Sequence, residues 1–124
     1  LARMFASILR KEGQSYFLVT PAEKLKITVE DVPFSIVLMK AEVIGDQQQL
    51  TFITSLGDEV AANTENKIEF RANEAGDQIP YIEVRNNLWG KLNQSTYYEL
   101  MDLVEERPEG FFLTSGGSEV KIPD

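Results

Sequence analysis

The stretch Tyr16-Phe17-Leu18-Val19-Thr20-Pro21-Ala22-Glu23-Lys24-Leu25-Lys26-Ile27-Thr28-Val29 decides how this chain is read, because it has an echo 95 residues later in Phe111-Phe112-Leu113 and Val120-Lys121-Ile122. Residues 16–20 are strand formers, and Pro21-Ala22 marks a turn. Lys24 to Val29 then alternates, with Leu25, Ile27 and Val29 on the face expected to be half-buried. Upstream, Leu1, Met4, Phe5, Ile8 and Leu9 recur at helical spacing, so residues 1–11 are expected to form an amphipathic helix stopped by Gly13. Under the same shift Phe5, Ile8 and Leu9 fall on Leu100, Leu103 and Val104. The expectation is an α+β fold in which a helix-plus-β-hairpin unit is duplicated at the two ends of an antiparallel sheet. Proline cannot take positive φ. Matched hairpins would therefore give Pro21 and Gly116 equivalent positions and keep Gly116-Gly117 out of a type I′ turn.

Between these ends, Phe34 to Ile44 reads as a long apolar strand that turns at Gly45-Asp46 and returns through Leu50–Thr54. A short segment follows near Val60, and Lys67–Arg71 and Tyr81–Arg85 both alternate cleanly. Charge complementarity opposes Arg71 with Glu83 and Glu69 with Arg85, because a two-residue slip would set Glu69 against Glu83. Thr96-Tyr97-Tyr98-Glu99 has the form of a capping box, so a helix is expected from there to about Glu106, ending before Pro108. Strands at Gly110–Thr114 and Glu119–Ile122 close the chain. Two halves result, residues 1–45, cut short at the start, and a β-rich 46–124 ending in helix and hairpin. Together they are expected to form one compact unit.

The 124 residues are 43% hydrophobic, enough for a core without staples. Cysteine and histidine are both absent, which removes thiol chemistry, the commonest metal ligand and the best neutral-pH proton shuttle. No metal and no cofactor is expected, and any catalysis would fall to carboxylates, lysines, tyrosines or an imported cofactor. The net charge is −8, and no basic cluster exceeds Arg10-Lys11. Neither a nucleic acid polymer nor an anionic membrane surface is an expected partner. No apolar stretch has membrane-spanning length and no secretory signal is visible, so a cytoplasmic location is expected. Leu1 already lies inside the helical pattern, and the natural chain is expected to extend upstream.

Glu30-Asp31 and Asp58-Glu59 are adjacent carboxylates, but neighbours on a strand point to opposite faces and neither pair makes a dyad. Beside Pro33 and Gly57 they suit turns, and no catalytic residue is assigned. Thr54, Ser55 and Asp58 flank Gly57 in a loop that could turn backbone amides toward an anion. It lacks the lysine and spacing of a phosphate-binding P-loop, and an ordinary strand connection fits it better. Arg71 and Arg85 share a sheet face with Tyr81, a set able to hold a planar anion by forked hydrogen bonds and stacking, or simply to form a salt ladder. Trp89 is expected to anchor the core rather than serve as a binding platform.

Leu18 to Phe34, Thr54-Ser55-Leu56-Gly57-Asp58-Glu59-Val60 and Pro80-Tyr81-Ile82-Glu83-Val84-Arg85 together resemble the bacterial family known as domain of unknown function 1285. The resemblance covers nearly the whole chain. It departs at Ser55, where asparagine is expected, near Asn93-Gln94, where an arginine is missing, and ahead of Leu1, where the family has an extension. It implies a duplicated core, a C-terminal half superficially like a pleckstrin-homology fold, and a signalling role with a nucleotide-like ligand in the cleft between halves. The Thr54–Asp58 loop and the Arg71/Arg85 face would then be cleft residues. The expected function is a ligand-sensing module for a nucleotide-like small molecule. The alternatives are a protein-interaction adaptor using a sheet edge or the acidic C-terminal helix, and, less favoured, a carboxylate enzyme.

Overall fold

The computed structural model describes residues 7–123. Three sheets account for most of them. β1 (Leu9–Glu12), β2 (Ser15–Val19) and β3 (Lys24–Ile27) form an antiparallel meander. The central sheet has the order β6-β5-β4-β9-β8-β7. It is built from β4 (Phe34–Ile44), β5 (Gln47–Thr54), β6 (Glu59–Ala61), β7 (Ile68–Ala72), β8 (Gln78–Arg85) and β9 (Leu88–Leu92). α1 (Gln94–Met101) follows, and β10 (Glu105–Arg107), β11 (Gly110–Ser115) and β12 (Ser118–Lys121) make a second meander. No helix among the described residues is long and apolar enough to cross a membrane.

The expected α+β duplication of helix-plus-hairpin units is therefore overturned, because the chain is mostly β. The helix expected at 1–11 falls partly on residues 1–6, outside the described region. Ser7 and Ile8 are helical, but Leu9–Glu12 is strand, paired to β2 with Leu9 opposite Leu18. Gly13, at φ +61°, is a hairpin turn residue and not a helix stop. Cross-strand pairing and complete burial of Leu9 outweigh the local helical period. The C-terminal part is not pleckstrin-homology-like either: its strands complete a mixed sheet with β4, and a separate meander follows α1.

What the 95-residue shift relates is strand pairing. Phe17 faces Lys26 as Phe112 faces Lys121, and Arg10 faces Phe17 as Glu105 faces Phe112. The turns differ. Gly116 and Gly117 have φ of +56° and +77°, while Pro21-Ala22 sits in a turn closed by Thr20, whose hydroxyl accepts from the amides of Ala22 and Glu23. The expectation that Gly116-Gly117 avoids left-handed conformations fails. β3 is also less buried than its alternation suggests, with Leu25 half exposed.

In β4 the apolar run Ile36-Val37-Leu38-Met39 marks a bulge. Ile36 faces Thr54 and Leu38 faces Ile53, so Val37 is an extra residue and the inward phase passes from Phe34 and Ile36 to Met39. The main core gathers Ile36, Leu50, Phe52, Ile82, Leu92, Leu100 and Leu113 from the sheet, α1 and β11. A second cluster of Leu9, Tyr16, Phe34 and Leu88 seats the N-terminal meander on the sheet.

The expected β7–β8 register is also corrected. Glu69 faces Tyr81 and Arg71 faces Ile79. The loop fixes this: Asn73 N–H donates to the Asp77 carbonyl, and Asp77 N–H to Asn73 Oδ1. Turn closure and burial of Tyr81 prevail over surface charge pairing, worth only about 0–1 kcal/mol at exposed sites. The α1 N-cap is Asn93, whose Oδ1 accepts from Thr96 N–H, while Thr96 itself is fully buried with its hydroxyl unpartnered. The helix ends at Met101, and residues 105–107, expected to be helical, pair with β11.

Ser115 joins the C-terminal meander to the central sheet. Its buried hydroxyl accepts from Leu50 N–H at 2.8 Å and donates to the Ala62 carbonyl at 2.7 Å. Ser115→Ala leaves a buried amide and a carbonyl without these partners, and urea denaturation should show a loss of about 1–3 kcal/mol.

Candidate functional site at the seam between the N-terminal meander and the central sheet

β8 and β9 form a hairpin whose turn is Asn86-Asn87, both left-handed at φ of 44° and 62°. The turn pairs Arg85 with Leu88, and a one-residue register shift between Glu83 and Arg85 then sets Tyr81 opposite Lys91. Parallel pairing of β9 with β4 sets Lys91 beside Ser35, next to the segment 28–33 that enters β4. Within that segment Asp31 is left-handed at φ 59°, a conformation aspartate tolerates better than most residues. Tyr81 OH donates to Asp31 Oδ2 at 2.8 Å, and Lys91 Nζ lies 4.0 Å from the same oxygen.

Arg71 lies beside this pair. Its guanidinium is 4.4 Å from the centre of the Tyr81 ring and 4.9 Å from that of Trp89, while Nε donates to Glu69 at 3.0 Å. Burial pushes the Tyr81 phenol up to about 12, helped by its hydrogen bond to the Asp31 carboxylate and by that negative charge, against the opposing pull of Arg71. Tyr16 on β2 is raised too, by burial first, with Arg71 lowering it and Asp31 raising it. Both phenols therefore stay protonated at neutral pH.

Two clefts meet at Lys91. One, about 460 Å³, lies between residues 30–35 and Lys91–Gln94. The other, about 590 Å³, runs along α1 and is lined by Ile79, Pro80, Tyr97, Tyr98 and Met101, with the amides of Gln78 and Gln94. Lys91, Leu92 and Gln94 line both, so the two form one furrow.

Of the residues expected from sequence, Arg71 and Tyr81 are brought together and Trp89 lies beneath Arg71, nearly buried. Arg85 stands at the end of β8, past an irregularity after Glu83. Thr54, Ser55 and Asp58 close the β5–β6 connection. There the Ser55 amide donates to the Ser35 carbonyl, the Leu56 and Asp58 amides to Thr54 Oγ1, and the Gly57 amide to the Thr54 carbonyl. These amides are committed inside the protein, and Leu56 packs against the N-terminal cluster. Sequence reasoning missed Asp31, taken as a turn residue, and Lys91, Gln94, Tyr97 and Tyr98. The Asn86-Asn87 pair was the available signal for a strand at 88–92, but a two-residue turn alone would set Lys91 opposite Ile82, and the register shift between Glu83 and Arg85 brings it to Tyr81.

A mostly β chain with a meander seated on a mixed sheet, joined across a polar seam, corresponds to a fold class already represented among bacterial proteins of unknown function. The chain belongs to the DUF1285 family: the family's N-terminal domain of unknown function matches residues 1–32, and its "protein of unknown function (DUF1285), C-terminal domain" matches 33–122. That division falls between Asp31 and the start of β4, whereas a boundary at 45/46 lies in the β4–β5 turn. The crystal structure of a DUF1285 family protein from Silicibacter pomeroyi DSS-3 is 39% identical, with a TM-score of 0.89 over 97% of this chain and 66% of that one. This chain thus spans slightly less than two thirds of that relative. A DUF1285 family protein from Shewanella baltica OS155 is 30% identical, with a TM-score of 0.62 over 82% of this chain and 74% of its own. No curated protein matches the chain.

The Tyr81 phenol makes stability pH-dependent. An unfolded tyrosine ionises near pH 10, whereas folded Tyr81 holds its proton to about 12. Its contribution is complete below pH 10 and is lost as pH rises toward 12. Tyr81→Phe should show a shallower alkaline loss of stability in urea titrations at pH 9 and 11.5, and should lose the late-titrating phenolate absorbance.

Proposed function

We propose that this chain is a ligand-sensing module that binds a nucleotide-like small molecule, a planar ring carrying an anionic group, in the furrow centred on Lys91. The supporting observation is that one lysine joins two clefts of different character. Tyr97 and Tyr98 offer flat apolar surface for a ring, and Gln78 and Gln94 offer both donors and acceptors to its edge. Lys91 supplies the cation for the anionic end, its pairing with Asp31 being long and exposed enough to yield. Tyr81 holds Asp31 in place, and Arg71 packs on Tyr81. Asp31 sits at the end of the N-terminal family segment, so an anion that draws Lys91 away acts on the seam between the two segments. The chain's acidity makes the local cation decisive for an anionic ligand.

A second reading is favoured by one observation. Val43 and Ile44, at the tip of the β4–β5 hairpin, are 75% and 56% exposed, as an adaptor surface for a protein partner would be.

Thermal-shift titration with AMP and GMP separates the two. A ligand at 100 times its Kd stabilises by about 2.7 kcal/mol, so melting temperature should rise with nucleotide and the rise should vanish in Lys91→Ala. No rise with either nucleotide, together with a stoichiometric partner lost on Val43→Asp, favours the adaptor.

A further inference from the structure

β9 pairs with β4 only along Phe34–Ile36. From Leu38 to Ile44 the strand has β5 on one side and, among the described residues, no strand on the other. Of the six large apolar side chains exposed among those residues, three, Leu38, Val43 and Ile44, fall in this stretch. A strand edge that carries exposed apolar side chains is a template for another strand. We infer that this edge pairs antiparallel with the same edge of a second copy of the chain, about a two-fold axis at Ala41. The inference is independent of the furrow around Lys91, and it commits the hairpin to a second copy in place of a foreign protein.

The turn sets which backbone groups are open. Gly45-Asp46 is a two-residue connection closed by Ile44 opposite Gln47, and such a closing pair exchanges its hydrogen bonds. Pairing is regular back to Leu38, so Ile44, Glu42 and Lys40 turn their amides and carbonyls to β5. Val43, Ala41 and Met39 turn theirs to the open edge. A second copy can answer them only in registers that set these three positions against one another.

Charge then selects among those registers. Centring on Lys40 opposes two lysines, and centring on Glu42 opposes two glutamates. Centring on Ala41 sets Lys40 opposite the second copy's Glu42, Leu38 opposite its Ile44 and Met39 opposite its Val43, each pair occurring twice. The Lys–Glu and Leu–Ile positions are non-hydrogen-bonded pairs, in which facing side chains come closest. Length selects the same register. Ala41 is the midpoint of 38–44, so pairing fills the open edge, whereas centring on Lys40 drives the second copy's Ile44 against Ile36, where β9 already sits.

The charges are available for this. Among the described residues Glu42 has no ion-pair partner. Lys40 meets Glu59 at 3.2 Å on exposed surface, a pairing weak enough to share the ammonium. β7, at the edge of the sheet, offers no equivalent: Glu69 and Arg71 already pair with each other, and none of its apolar side chains is among the exposed ones.

Such a strand pair is a small interface, below the roughly 1,200 Å² of stable complexes. The test is therefore sedimentation velocity on the whole chain from about 5 to 500 μM, a range that reveals a micromolar dimer. The unaltered chain should pass from monomer to dimer. Lys40→Glu and Glu42→Lys should each weaken the dimer by about tenfold or more, with circular dichroism showing both folded. An equimolar mixture of the two variants should dimerise again, because opposite charges then meet at both Lys–Glu positions. A monomer at every concentration, a dimer indifferent to either reversal, or no dimer in the mixture overturns the assignment. So does a foreign protein bound at this edge by a chain that stays monomeric.

Discussion

Three residues of parallel pairing hold the central sheet together. β6-β5-β4 and β9-β8-β7 are each antiparallel, and only Phe34 with Gly90, Ser35 with Lys91 and Ile36 with Leu92 fuse them. The contact depends on Gly90. A Cβ there would lie 2.7 Å from Cδ1 of Ile36, a side chain with no exposed surface of its own and little room to move. From this join the rest is placed. Asn93 N–H donates to the Ile36 carbonyl, and its side chain starts α1 over the core. Phe34 and Leu88 present the surface on which the N-terminal meander sits. Lys91 is delivered to the mouth of the seam.

Strands whose signal is local were legible in the sequence. Phe34–Ile44 was read at its true bounds, and the alternation around Ile68–Phe70 and Tyr81–Val84 marks β7 and β8. What failed was decided by partners. Leu9 has helical spacing, yet its burial against β2 and Phe34 makes it strand. Glu69 and Arg85 suit each other across a ladder, but the Asn73–Asp77 turn sets the register first. Thr96 has the residue pattern of a cap and is instead a core residue, because Asn93 three positions earlier takes its amide. Local patterns compete with one another, and the better-satisfied backbone wins.

The site was less legible than the fold. Arg71 and Tyr81 were recognised as sharing a face, which alternation alone supplies. Asp31 comes from a connecting segment fifty positions away from Tyr81, and no period in the chain announces that encounter. Lys91 lies on a strand with glycine at its centre, a weak strand signal, and that glycine is there for the parallel join. The Thr54–Asp58 loop has the composition of an anion nest, yet its hydroxyl gathers the amides for itself. Composition names the groups available; hydrogen-bond accounting says which are already spent.

The same parallel join has a kinetic side. Hairpins β4–β5, β7–β8 and β8–β9 each link neighbours in the chain and close short loops, whereas β4 meets β9 across most of the central sheet's sequence. Loop-closure entropy makes such distant pairing slow and late relative to hairpins. Two antiparallel blocks would then form first and dock afterwards. Asp31 reaches Tyr81 and Lys91, already opposed in the β8–β9 hairpin, only at that docking step, so the furrow exists only in the fully assembled chain, and a ligand held there would act as a lock on the last event of folding.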